Sequence, residues 1–170
     1  AQVLAELPLE DHRPIPLGHS SMTSTQLPAR DAEALGQMQR SAKWPNCSFY
    51  THWISTEDSI FWKVNVQEPG TYEVELFYTC KAQNLGTTLQ LICGKSALTK
   101  KIVHAHNPPL EGMNHDRISR EESFVKDFKP LNMGQLDLKR GNICLSLKAL
   151  EIPGESSIDF RLLVLRRLGN

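Results

Sequence analysis

Net charge is the first thing missing from this 170-residue sequence, in which 19 basic and 19 acidic side chains cancel. No whole-molecule field favours nucleic acid or an anionic membrane surface, so any anion site must be local. Long apolar runs are missing too. None approaches the about 18 residues needed to cross a bilayer, and the opening "AQVLAELPLEDHRPIPLG" has no basic stretch followed by an apolar one, so a soluble chain is expected. The first residue is Ala rather than Met, which suggests a mature form or a piece of something longer. Cysteine is sparse: Cys47, Cys80, Cys93 and Cys144 are scattered and form no C-x-x-C, which argues for buried free thiols over a thiolate metal site or a disulfide framework. Also absent are amphipathic helical periodicity, a Gly-rich phosphate loop, HExxH and G-x-S-x-G. Ser, His and Asp occur without triad spacing, so spacing supports no enzyme.

What is present is a series of short alternating runs. In "SIFWKVNV" Trp62, Val64 and Val66 share one face, and "QEPG" then breaks the run. In "TYEVELFYTC" Tyr72, Val74, Leu76 and Tyr78 point one way while Glu73 and Glu75 point the other, the mark of a half-buried antiparallel strand. "TTLQLIC", "ALTKKIVHAH" and "GQLDL" follow, then the hairpin signal "KRGN", "ICLSLKAL" and a closing "SIDFRLLVLRRL". Seven or eight such strands predict an all-β domain, a β-sandwich of jelly-roll type. Residues 1–28, rich in Pro, Ser and Thr without a sustained period, read as an arm or linker remnant, leaving 29–170 for the sandwich.

One stretch interrupts the pattern. "HAHNPPLEGMNHDRISREESFVKDF", His104 to Phe128, holds three of the six histidines, two adjacent prolines and eight charged side chains. Loops this long in a compact domain are usually functional. His104, His106 and Glu111 match part of the metal motif of cupins, since His at i and i+2 on a strand face one way. The rest of that motif fails: no glycine stands at the required upstream spacing and no histidine follows His115. A metal-dependent enzyme is therefore the weaker reading, and histidines at a polar loop mouth the stronger. Asp116, Arg117, Arg120 and Lys126 could grip sugar hydroxyls or a sulfate, because Arg and Lys pair naturally with oxyanions. Upstream, "WPNCSFYTHW" clusters Trp44, Phe49, Tyr50 and Trp53. Sugars bury their C–H faces on aromatic rings, so Tyr50 and Trp53 are candidates for a glycan platform, with core packing as the competing use.

In order and character, "LPARDAEALG", "STEDSIFWKVNVQEPGTYEVELFYTC" and "SSIDFRLLVL" resemble the strands of galactose-binding-like carbohydrate-binding modules. More narrowly, "WPNCSFYTHW", "YEVELFYTC", "AHNPPLEGMNHDR" and "ESFVKDFKPLNMG" are similar to the C-terminal accessory domain of some secreted bacterial sulfatases of the formylglycine type, over about residues 17–168. The sulfatase signature, Cys or Ser followed by x-Pro-x-Arg, is absent here. The resemblance implies a non-catalytic module, secreted or periplasmic, joined to an upstream catalytic domain that it holds on a polysaccharide, with sulfated polysaccharide among the candidates, or whose fold it completes. It also implies a structural Ca²⁺ between the first and last strands, held by early carboxylates and a late Asp. Asp31, Glu33 and Asp159 supply oxygens of the right hardness, though not as the usual paired glutamates.

Overall fold

Alternating apolar residues need a second layer against which to bury them, and here two sheets supply it for each other. The computed structural model describes residues 12–111 and 126–169. Its strands are β1 (Ile15–Leu17), β2 (Ser24–Pro28), β3 (Glu33–Leu35), β4 (Gln39–Arg40), β5 (Tyr50–Thr51), β6 (Ser59–Val66), β7 (Gly70–Thr79), β8 (Thr88–Cys93), β9 (Ser96–Lys101), β10 (Lys129–Leu138), β11 (Gly141–Glu151) and β12 (Asp159–Arg167). One sheet runs β1-β6-β11-β8-β9, with β3 sharing the β6 edge; the other runs β10-β7-β12-β5-β4, with β2 on β12. Among the described residues there is no α-helix, and no helix is long and apolar enough to cross a membrane. The all-β sandwich expected from the alternation is the observed architecture.

Side-chain parity follows the sequence closely in the long strands. Ile60, Trp62, Val64 and Val66 of β6 face the core, as do Tyr72, Val74, Leu76 and Tyr78 of β7. Trp62 joins the layers: its ring meets Phe160 of β12 edge-on at 5.6 Å, and its indole N–H donates to the Pro28 carbonyl at 3.1 Å. At Gly36 the backbone sits at φ +98°, and a Cβ there would overlap Asp58 Oδ1, the oxygen that accepts the Gln37 N–H at 2.9 Å. Only glycine fits both demands.

The N-terminal boundary needs correction. Within the span read as an arm, β1 pairs in parallel with β6 and β2 pairs with β12, and Leu17 and Leu27 are fully buried. The sandwich therefore includes Ile15–Pro28. Residues 1–11 lie outside the described residues.

Candidate functional site

The long connection between β9 and β10 has two stems, and both are built into one end of the sandwich. On the outgoing stem, Tyr78 donates its hydroxyl to the His104 carbonyl at 2.9 Å. His106 exchanges backbone hydrogen bonds with Cys80 at 2.7 and 2.9 Å. On the returning stem, Lys126 Nζ lies 2.5 Å from Asp159 Oδ2 and 5.1 Å from the Phe49 ring centroid. Phe128 packs on Phe49 at 5.6 Å, with the Arg161 guanidinium 5.7 Å from the Phe128 ring. The stems also meet each other, because His106 Nε2 is 2.7 Å from the Asp127 carbonyl. A carbonyl can only accept, so that nitrogen carries the proton and is committed.

Between the stems and the turns after β7 and β11 lies a polar depression of about 30 Å³, lined in part by Thr79, Asn84, Asn107, Ser156, Ser157 and Asp159. Thr79, Asn84 and Ser157 are buried, while Asn107 is exposed. Asn84 Nδ2 donates to Ser156 Oγ at 2.9 Å, and the Ser157 N–H donates to the Trp53 carbonyl at 2.7 Å. Asn84 Oδ1 and Ser157 Oγ have no protein partner. A Cβ at Gly154 would overlap Asn84 Oδ1 and stand 2.6 Å from Gln83 O, so this floor is shaped around a bare glycine. Burial first, and the Asp159 carboxylate second, push the Cys80 thiol up from 9.0 to about 11. It is a neutral lining group at neutral pH, neither nucleophile nor thiolate ligand.

The residues expected from the sequence fare unevenly. Tyr50 and Trp53 are corrected: at 2% and 0% exposure their rings are core and cannot stack on a sugar. The Tyr50 hydroxyl accepts from Arg40 Nε at 3.0 Å and donates to the Ala32 carbonyl at 3.1 Å, so even its polar tip is used internally. His104 and Glu111 are exposed and His106 is tied to Asp127, and no group of three His, Cys, Asp or Glu side chains that could hold a metal exists among the described residues. The ligand set of the cupin-like enzyme is therefore not assembled. Nor do Asp31, Glu33 and Asp159 form one calcium site: Asp31 and Glu33 border a different depression, while Asp159 is held by Lys126. Lys126 lies at the stem as expected, but a carboxylate already occupies its ammonium. Asp116, Arg117 and Arg120 lie outside the described residues.

Sequence reasoning missed two things. The "SSID" run holds Ser156, Ser157 and Asp159, three of the lining residues of the end depression, and its small polar residues directly before a strand were the available signal. Phe61 was the other, because in β6 it takes the parity opposite to Trp62 and so faces outward, half-exposed, beside Trp44.

No protein-family model matches the chain, and no curated protein does. Solved structures do. A family 35 carbohydrate-binding module from Clostridium thermocellum matches at TM-score 0.56 and 12% identity over 86% of this chain and 100% of that one. The Podospora anserina GH26-CBM35 beta-(1,4)-mannanase matches at 0.59 and 10% over 87% of this chain and 28% of that one. The Cry4Aa mosquito-larvicidal toxin of Bacillus thuringiensis matches at 0.59 and 13% over 86% and 24%. The fold is that of a carbohydrate-binding-module sandwich, and it also occurs within an insecticidal toxin. This chain spans about a quarter of the length of the mannanase and the toxin.

Proposed function

We propose that this chain is a non-catalytic carbohydrate-binding module that keeps a catalytic partner on a polysaccharide, contacting glycan at the depression between the loop stems. The observation that carries this is the depression itself: a recess of hydroxyl, amide, ammonium and carboxylate groups at the loop end of a sandwich that matches carbohydrate-binding modules over nearly their whole length. Sugar hydroxyls both donate and accept. Asn107, Ser156 and Asp159 offer complementary partners in a recess deep enough for one or two hydroxyls.

The finer reading is a module of a secreted or periplasmic sulfatase-like hydrolase that targets sulfated polysaccharide. Its support is the sequence resemblance and the donors Arg117, Arg120 and Lys126. Lys126 would have to leave Asp159 to take a sulfate, so the binding reading does not depend on sulfate.

Affinity electrophoresis through gels containing neutral and sulfated polysaccharides, with Ca²⁺ and with chelator, tests the function. Retardation by a glycan that Asn107→Ala and Ser156→Ala weaken supports the depression as the contact surface. Loss of retardation in chelator would show a required metal that is not the Asp31, Glu33 and Asp159 set. If no glycan retards the chain, the module is a structural domain packed on its catalytic partner.

A further inference from the structure

Alternation in β6 sends Ile60, Trp62 and Val64 into the core and leaves Phe61 and Lys63 on the outer face of the first sheet. Strand pairing sets Glu33 directly opposite Phe61, and Lys63 Nζ is 3.6 Å from Glu33 Oε1. Trp44, half-exposed, joins this row, as do Arg13 and Asp31, and the six side chains border one depression. Its lining shares no residue with that of the end depression.

We propose that this Trp44/Phe61 depression is a second saccharide site, one that takes a neutral pyranoside lying across the two rings with a single hydroxyl or hydroxymethyl group in the recess. The proposal rests on the carbohydrate-binding reading above and adds a place and a ligand class to it. Size sets the pose: the recess is about 20 Å³, room for one water-sized group and not for a buried ring. Composition sets the class. Two half-exposed aromatics offer apolar faces to the axial C–H groups of a pyranose. Around them Asp31 and Glu33 accept from hydroxyls, while Arg13 and Lys63 donate. The carboxylates are already engaged, Asp31 with Arg30 at 3.1 Å, and Glu33 with Lys63 at 3.6 Å and His12 Nδ1 at 3.7 Å. A sulfate or carboxylate on the sugar would compete with Asp31 or Glu33 for their cations, whereas a neutral sugar needs only to bridge the existing pairs.

The protein carries its own probe. Of its three tryptophans, Trp53 and Trp62 are 0% and 1% exposed, so quenching of indole fluorescence by acrylamide reports on Trp44. The full chain would be titrated with neutral oligosaccharides of mannan, xylan and glucan, with acrylamide quenching and gel retardation read in parallel. A bound oligosaccharide should lower the quenching constant, and Asn107→Ala should leave that shielding in place. Trp44→Ala should weaken affinity about three- to tenfold, and Phe61→Ser should do the same while keeping the Trp44 signal. Retardation with unchanged quenching, and with Trp44→Ala and Phe61→Ser binding like the parent, would overturn this site and leave the end depression standing. Absence of retardation by any polysaccharide would instead overturn the carbohydrate-binding function and this site with it.

Discussion

Lys126 and Asp159 form the contact that fixes the returning stem to the sandwich, and a double-mutant cycle measures it. Their side chains are 14% and 21% exposed, with Nζ 2.5 Å from Oδ2. An exposed pair is worth at most about 1 kcal/mol, and stripping one partner from a fully buried pair costs about 3–5. At this intermediate burial Asp159→Asn should cost about 2 kcal/mol. Lys126→Met keeps most of the aliphatic stem but also loses the cation over Phe49, worth about 0.5–1 kcal/mol more, so it should cost about 3. At this chain length each kcal/mol lowers Tm by about 2–4 °C, giving falls of about 4–8 °C and 6–12 °C in calorimetry. The double variant should be hardly worse than Lys126→Met, a coupling of about 1.5–2 kcal/mol. Single losses that simply add would refute the pair and with it the fixed stem.

Two further outcomes follow from the buried groups. Tyr50→Phe removes a hydroxyl bonded to both Arg40 and Ala32, and should cost about 1–2 kcal/mol in urea denaturation while leaving glycan retardation untouched; intact stability with lost retardation would put the ring back on the surface. The Cys80 thiol is held up at about 11 against 9.0, so above pH 9 the unfolded chain ionises first and binds fewer protons. Stability should then fall between about pH 9 and 11, more steeply in the parent than in Cys80→Ala, and equal slopes would exclude a buried Cys80.

Long strands were legible because each had enough residues for a period of two to show. The eight residues of β6 and ten of β7 repeat the inward choice four times each, and Trp62, Val64, Val66, Tyr72, Val74, Leu76 and Tyr78 are buried as read. The short strands β1 to β5 hold two to five residues, too few for any period, and two of them contain proline. Their pairing is dictated by strands distant in sequence, β1 and β3 on β6, β2 and β5 on β12 with β4 added to β5, which the local sequence does not contain. Seven or eight strands were thus expected where twelve are described. The same limit explains the aromatic error. Tyr50 and Trp53 sit in an irregular segment with no parity to read, so their composition suggested a platform while tertiary packing made them core. Phe61 had a parity, and it pointed outward.

Charge placement connects these observations to ligand choice. The whole chain is neutral, and the carboxylates at both depressions are met by cations, Asp31 and Glu33 by Arg30 and Lys63 on the sheet face and Asp159 by Lys126 at the loop stem, while the exposed Lys81 also lines the end depression. A cation already paired at 2.5 Å can serve a sulfate only by giving up its partner, and the carboxylate left behind would repel the incoming anion. Neutral hydroxyls meet no such penalty, because they can bridge donor and acceptor without separating them. Recognition through these paired groups therefore selects uncharged sugar. A preference for sulfated chains would have to come from other donors, and Lys81 at the end depression, with Arg117 and Arg120 of the long connection, are the residues to substitute.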